Sequence, residues 1–107
     1  MDHETRFYLI ALFDYYAPLL TDKQQQYFKS YYFNDFSLSE IASKYNISRA
    51  AVQESIKKII TDLKYYESKL ELYNKASQRL KLYNNLTDSK IRDKLIELEQ
   101  QGNKDEK

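Results

Sequence analysis

Between Ser48 and Lys58 the chain reads Ser-Arg-Ala-Ala-Val-Gln-Glu-Ser-Ile-Lys-Lys. On a helix, Ser48, Arg49, Ala50, Gln53, Glu54 and Lys57 fall to one side, because residues three and four apart share a face, and Val52 and Ile56 fall to the other. The residue types on the first side suit the edges of base pairs. An arginine fork can bind guanine, a glutamine can pair with adenine, and a glutamate can accept from the amino group of cytosine. Lys57 and Lys58 suit phosphate oxygens, which position a protein on nucleic acid without reading sequence. Each of these side chains taken singly is an ordinary solvated group. The pattern means recognition only if a core holds this helix from behind and leaves its outer side free.

The residues just upstream supply that support. Ser37-Leu-Ser-Glu40 reads as a capping box, with a hydroxyl at the cap and a glutamate three residues on. It opens a short helix whose apolar face is Leu38, Ile41, Ala42 and Tyr45. Asn46 tolerates the left-handed conformation that ends many helices. Ile47 can pack into the corner, and Ser48 caps the next helix. Ala42 is small where two helices must cross closely. Residues 37–59 therefore read as a helix-turn-helix, two helices meeting at a tight turn.

The flanking elements follow from the same periodicity. Thr5 to Tyr16 forms a first helix with Leu9, Leu12, Phe13 and Tyr16 inward. Pro18 ends it or starts the next turn. Thr21 and Gln24 make another capping box, before a helix carrying Tyr27, Phe28, Tyr31 and Tyr32 that stops near Asn34-Asp35. Beyond Ser48, Val52, Ile56, Ile59, Leu63, Tyr66, Leu70 and Tyr73 alternate spacings of four and three, a heptad seam that Leu80 resumes after a gap at Ser77. That helix runs from Arg49 to about Tyr83, or breaks near residues 67–72. Asn84-Asn85-Leu86-Thr87 is a turn with a cap. A last helix from Asp88 to about Gln101 presents Ile91, Leu95 and Leu98, and residues 102–107 read as a disordered tail. With one Pro, one Gly and no alternating runs bounded by turns, the fold class is all-α. We expect a helix-turn-helix domain over 1–64 and a C-terminal helical extension over 65–101.

Composition narrows the function classes. The 107 residues are 42% hydrophobic and 31% charged, as in a chain with one modest core. Net charge is +1, but residues 37–64 carry five bases against three acids, the only locally basic segment, and a mild one. The absence of cysteine rules out disulfides and thiolate metal sites and suits a reducing cytoplasm. No apolar run approaches a membrane span, and the acidic start does not resemble a signal peptide. Catalysis has no support. His3 is the only histidine and lies in an N-terminus expected to fray, and no Gly-rich phosphate loop is present. Carboxylates such as Glu67 and Glu71, near Lys64 and Lys75, read as solvated ion pairs. No metal or cofactor is expected.

The stretch from Leu20 to Leu70 resembles region 4 of bacterial sigma factors. From Tyr8 to about Gln100 the chain more closely resembles the YlxM family of small helix-turn-helix proteins. The residues that carry this are Phe13-Asp14-Tyr15-Tyr16, Leu19-Leu20-Thr21 with Lys23-Gln24, Tyr31-Tyr32, Ser37-Leu38 with Glu40-Ile41-Ala42, and Ile47-Ser48-Arg49 with Ala51-Val52. Asn46 departs from the Gly commonest at such turns. The resemblance implies a cytoplasmic protein whose gene lies beside those of the signal recognition particle, and a part in that pathway. The expected function is DNA-binding regulation. The alternative is a protein- or RNA-binding accessory of the particle with no DNA site of its own.

The seam is longer than one small bundle can cover. Its second half, with Leu63, Tyr66, Leu70, Tyr73, Leu80, Ile91, Leu95 and Leu98, reads as the interface of a homodimer, which would suit a two-fold DNA site. The doubled tyrosines 15–16, 31–32 and 65–66 cannot all point inward. The outward rings could stack on single-stranded RNA bases or, more simply, contact a second copy.

Overall fold

Local signals close each helix of the computed structural model, which describes residues 3–104. α1 spans His3–Tyr16 and gives way to a tight 3-10 turn at Ala17–Leu19, where Pro18 has no N–H to continue an α-helix. α2 spans Asp22–Tyr32 behind a complete capping box: Thr21 Oγ1 accepts the Gln24 N–H, and the Gln24 side chain accepts the Thr21 N–H. α3 spans Leu38–Tyr45 behind the corresponding box of Ser37 and Glu40. α4 spans Arg49–Leu70, α5 Leu72–Tyr83 and α6 Ser89–Lys104. The architecture is all-α, with no strand among the described residues.

One core joins the first four helices. Leu9, Leu12, Phe13 and Tyr16 of α1, Leu20 of the turn, Tyr27, Phe28 and Tyr32 of α2, Ile41 and Ala42 of α3, and Val52, Ile56, Ile59 and Leu63 of α4 are all buried. Phe13 and Phe28 stack with ring centroids 4.3 Å apart, and Phe28 lies 4.4 Å from Tyr32. Arg6 ties α1 to the end of α2 by donating to the Tyr32 carbonyl and pairing with Asp35 at 3.2 Å.

The long helix breaks inside the second half of the seam, between Leu70 and Tyr73. Glu71 takes φ 53° and ψ 33°, ending α4 and starting α5. α5 packs on α1 and α4, and α6 folds back on α5. The cap of α6 is Asp88, whose carboxylate accepts the N–H groups of Lys90 and Ile91, in place of the expected Thr87. α6 continues to Lys104, past Gln101 where the sequence places its end. The His3 side chain and residues 105–107 of the expected tail lie outside the described residues.

Candidate nucleic-acid interface

α3 and α4 meet at a three-residue corner. Asn46 sits at φ 58° and ψ 48°, the left-handed region where its short polar side chain costs little. The Ile47 N–H donates to the Ala42 carbonyl at 3.0 Å, closing the end of α3. Ser48 Oγ accepts the Ala51 N–H at 3.0 Å and so fixes the first turn of α4. Behind the corner, Ile41 and Val52 are 0% exposed and Ala42 is 8% exposed. The inner side of α4 is thus held on α1, α2 and α3.

The outer side is solvated along its whole length. Ser48, Arg49, Ala50, Gln53, Glu54, Lys57 and Lys58 are all exposed. Arg49 has no ion-pair partner among the described residues, which leaves its fork free at the N-terminal turn of α4. Lys57 lies 3.8 Å from Glu54, an exposed pair that holds little energy. Lys58 is differently placed. It pairs with Asp62 at 3.2 Å, and Asp62 also accepts from Gln24 Nε2 at 3.2 Å. This network ties Lys58 toward α2, to one side of the Arg49–Lys57 face.

Below the corner, the structure corrects the reading of Glu67. It is 8% exposed and has no solvated lysine partner. Its Oε1 accepts the Tyr16 hydroxyl at 2.6 Å and the Tyr73 N–H at 3.2 Å, and its Oε2 accepts the Asn74 N–H at 3.0 Å. The Tyr16 oxygen in turn accepts the Leu72 N–H at 3.1 Å. Glu67 therefore caps the first turn of α5 from inside the protein, satisfying N–H groups that the start of any helix leaves open. The signal for this was register, since Glu67 stands four residues after the buried Leu63. Burial, then the hydrogen bond to Glu67, pushes the Tyr16 hydroxyl up to about 12.

The residues expected at a dimer contact divide. Leu63 is fully buried in the chain's own core. The half-buried Tyr66 and Tyr73 meet Tyr16 and Tyr8 within the same chain, with centroids 5.9 Å and 5.5 Å apart. Leu70, Ile91 and Leu98 are 44%, 54% and 58% exposed, and Leu80 and Leu95 are half-buried. An ion pair that the sequence does not announce holds α5 to α6. Arg79 binds Glu99 through two nitrogens, at 2.5 Å and 3.0 Å, and the Tyr83 hydroxyl donates to the same carboxylate at 2.9 Å. The Arg79 hydrogen bond draws the Glu99 carboxyl below its ordinary range.

Among the described residues no group of three or more His, Cys, Asp or Glu could hold a metal ion, and no helix is long and apolar enough to cross a membrane. The chemistry on offer is an exposed, firmly mounted helix face with one free guanidinium.

Comparison with known proteins agrees with this geometry. The profile of a family described as "Putative helix-turn-helix protein, YlxM / p13 like" matches residues 3–103. The chain is similar to a UPF0122 protein of Malacoplasma penetrans, 46% identical over 88 residues that cover 82% of each chain. It is 41% identical over 98 residues to one of Ureaplasma parvum, covering 92% of this chain and 99% of that one. Similarity to UPF0122 protein YlxM of Bacillus subtilis is 47% identity over 77 residues, 72% of this chain and 70% of that one.

Proposed function

This chain belongs to the YlxM/p13-like family of helix-turn-helix proteins, and from that premise we propose that it is a non-catalytic regulator that reads duplex DNA with the outer face of α4. The observation that carries this is the mounting of Arg49: a free guanidinium on the first turn of a helix capped by Ser48 and held from behind by Val52. Residues at that end of a recognition helix are the ones that reach base edges in the major groove. Gln53 and Lys57 follow at helical spacing, for adenine and for phosphate. The protein then works in the cytoplasm, beside the chromosome. The family resemblance supports a place in the signal recognition particle pathway.

A second copy belongs to this reading. A two-fold pair would offer two α4 helices to a palindromic site. Ile91 and Leu98, both more than half exposed on α6, support a contact there.

Selection of bound sequences from a random duplex pool by the intact protein tests the proposal. Arg49→Ala should lose about 1–3 kcal/mol at the selected site and relax preference at one base pair. Lys57→Ala should weaken all duplexes alike and lower the salt slope by about 1. A folded Arg49→Ala protein with unchanged affinity and preference defeats the reading role of α4. One observation favours the alternative, an accessory of the particle: Glu54, with a side chain 75% exposed, puts a negative charge on the face. Such an accessory would co-purify with the particle's protein or RNA and show no preference for any duplex.

A further inference from the structure

The outer face of α4 does not end with the helix-turn-helix. Of the doubled tyrosines, Tyr65 is the one left mostly in solvent, 58% exposed, while Tyr15, Tyr31 and Tyr66 are half-buried and Tyr16 and Tyr32 are buried. Its ring is nonetheless held. Tyr66 meets it with centroids 6.1 Å apart, and Lys69 Nζ stands 5.7 Å from the ring centre. Around it at helical spacing lie Lys58, Thr61, Ser68 and Lys69, with Lys64 beside it, all exposed. Lys64 and Lys69 have no carboxylate partner among the described residues.

This neighbourhood selects the chemistry of its partner. A tyrosine anchoring a protein contact sits among apolar and aromatic side chains, where lysine is depleted. Tyr65 has no exposed Leu, Ile, Val or Phe at helical spacing on α4; its exposed neighbours there are hydroxyls and ammonium groups, and the one carboxylate at that spacing, the half-buried Asp62, is taken up by Lys58 and Gln24. An aromatic ring flanked by cations is how proteins take up unpaired nucleotides, with a base on the ring and phosphates on the lysines. The place is also separate from the Arg49 face. Tyr65 stands sixteen residues along α4 from Arg49, about 24 Å along the axis at 1.5 Å per residue. The major groove curves around the duplex, so a straight helix that meets base edges with its N-terminal residues leaves the groove farther along its length. With Arg49 on base edges, Tyr65 stands outside that groove.

We propose that Lys64, Tyr65 and Lys69 form a second nucleic-acid surface, which binds a single strand by stacking one base on Tyr65 and placing the adjoining phosphates on the two lysines. This goes beyond duplex reading, and it needs neither a dimer nor an operator.

Fluorescence anisotropy with short labelled oligouridylate and oligothymidylate strands, and with a labelled duplex, tests it on the full chain. Tyr65→Ala should weaken both single strands about tenfold, Tyr65→Phe should retain them, and duplex affinity should not move. Lys64→Ala with Lys69→Ala should weaken the strands and flatten their salt dependence. Equal binding of the two strands assigns the site to single strands in general, and preference for uridylate that persists against oligodeoxyuridylate assigns it to RNA through the 2′-hydroxyl; both uphold the surface. Failure of the intact protein to bind either strand, unchanged binding by a helical Tyr65→Ala protein, or a parallel loss on duplex would overturn it. Arg49→Ala separates the two readings, because it should impair the duplex and spare the strands.

Discussion

Replacing Tyr16 with Phe removes a single oxygen from the joint between α4 and α5 and leaves the ring, which is 0% exposed, in its packing. That oxygen donates to Glu67 at 2.6 Å and accepts the Leu72 N–H at 3.1 Å. Losing a hydrogen bond to a charged group costs about 1.5–3 kcal/mol, and leaving the part-buried Leu72 N–H unpaired adds about 1 kcal/mol, the low end for a donor that water can partly reach. With some relaxation of the first turn of α5, we expect Tyr16→Phe to destabilise the protein by about 3 kcal/mol, a large share of the 5–15 kcal/mol usual for a small domain. Glu67→Gln keeps one carbonyl acceptor but withdraws the charge from the start of α5 and turns a donor toward the Asn74 N–H. Its cost should be about 2 kcal/mol. The two changes strike the same hydrogen bond, so the double variant should fall short of additivity by about 1–2 kcal/mol. Urea denaturation followed by helical circular dichroism measures all three. Amide hydrogen exchange locates the effect: Leu72, Tyr73 and Asn74 should lose protection first, as the α5–α6 hairpin opens before the core of α1–α4. A Tyr16→Phe protein within about 0.5 kcal/mol of the natural one, with an additive double variant, would refute the joint as described.

Asn46→Ala should cost about 1 kcal/mol in thermal or urea unfolding because φ is 58° there, while Asn46→Gly should be nearly neutral; equal stability of all three would mean the corner does not depend on the left-handed residue. Tyr16 and Tyr32 are both pushed up to about 12, by burial first. The folded chain therefore keeps protons that the unfolded chain loses from about pH 10. Their contribution is complete below pH 10 and is lost as pH rises toward 12, so urea midpoints should fall across that window. Absorbance titration showing every tyrosine ionising near its ordinary value in a still-folded protein would contradict this. Ile91→Glu combined with Leu98→Glu should convert the proposed dimer to monomer by light scattering without loss of helicity; a natural protein that is already monomeric at tens of micromolar would remove the assembly from the proposal.

The sequence alone was enough wherever a feature depends on residues within about one turn of each other. The capping boxes at Thr21–Gln24 and Ser37–Glu40, the Ser48 cap and the left-handed Asn46 are contacts between near neighbours, and their residue types announce them. The inward period of Val52, Ile56, Ile59 and Leu63 was legible for the same reason, because a helix repeats its own geometry. So the type and spacing of the Arg49–Lys57 face could be read before any fold was known. Tertiary structure decided what depends on distant chain segments meeting. Glu67 looks like one more surface carboxylate until Tyr16, 51 residues away, closes over it. The break at Glu71 has no glycine to mark it, and its left-handed backbone is held by the hydrogen bonds that α5 gains from the same carboxylate. How these local charges are anchored was likewise beyond the sequence. Lys58 pairs with Asp62 one turn along α4, but it is Gln24, reaching across the α2–α4 contact, that fixes Asp62 in place, and nothing engages Arg49 among the described residues. A side chain's local partners, the Lys58–Asp62 pair among them, are written in its neighbours, whereas its burial and its distant partners, such as Glu99 for Arg79, are set by packing between helices that the order of residues does not place side by side.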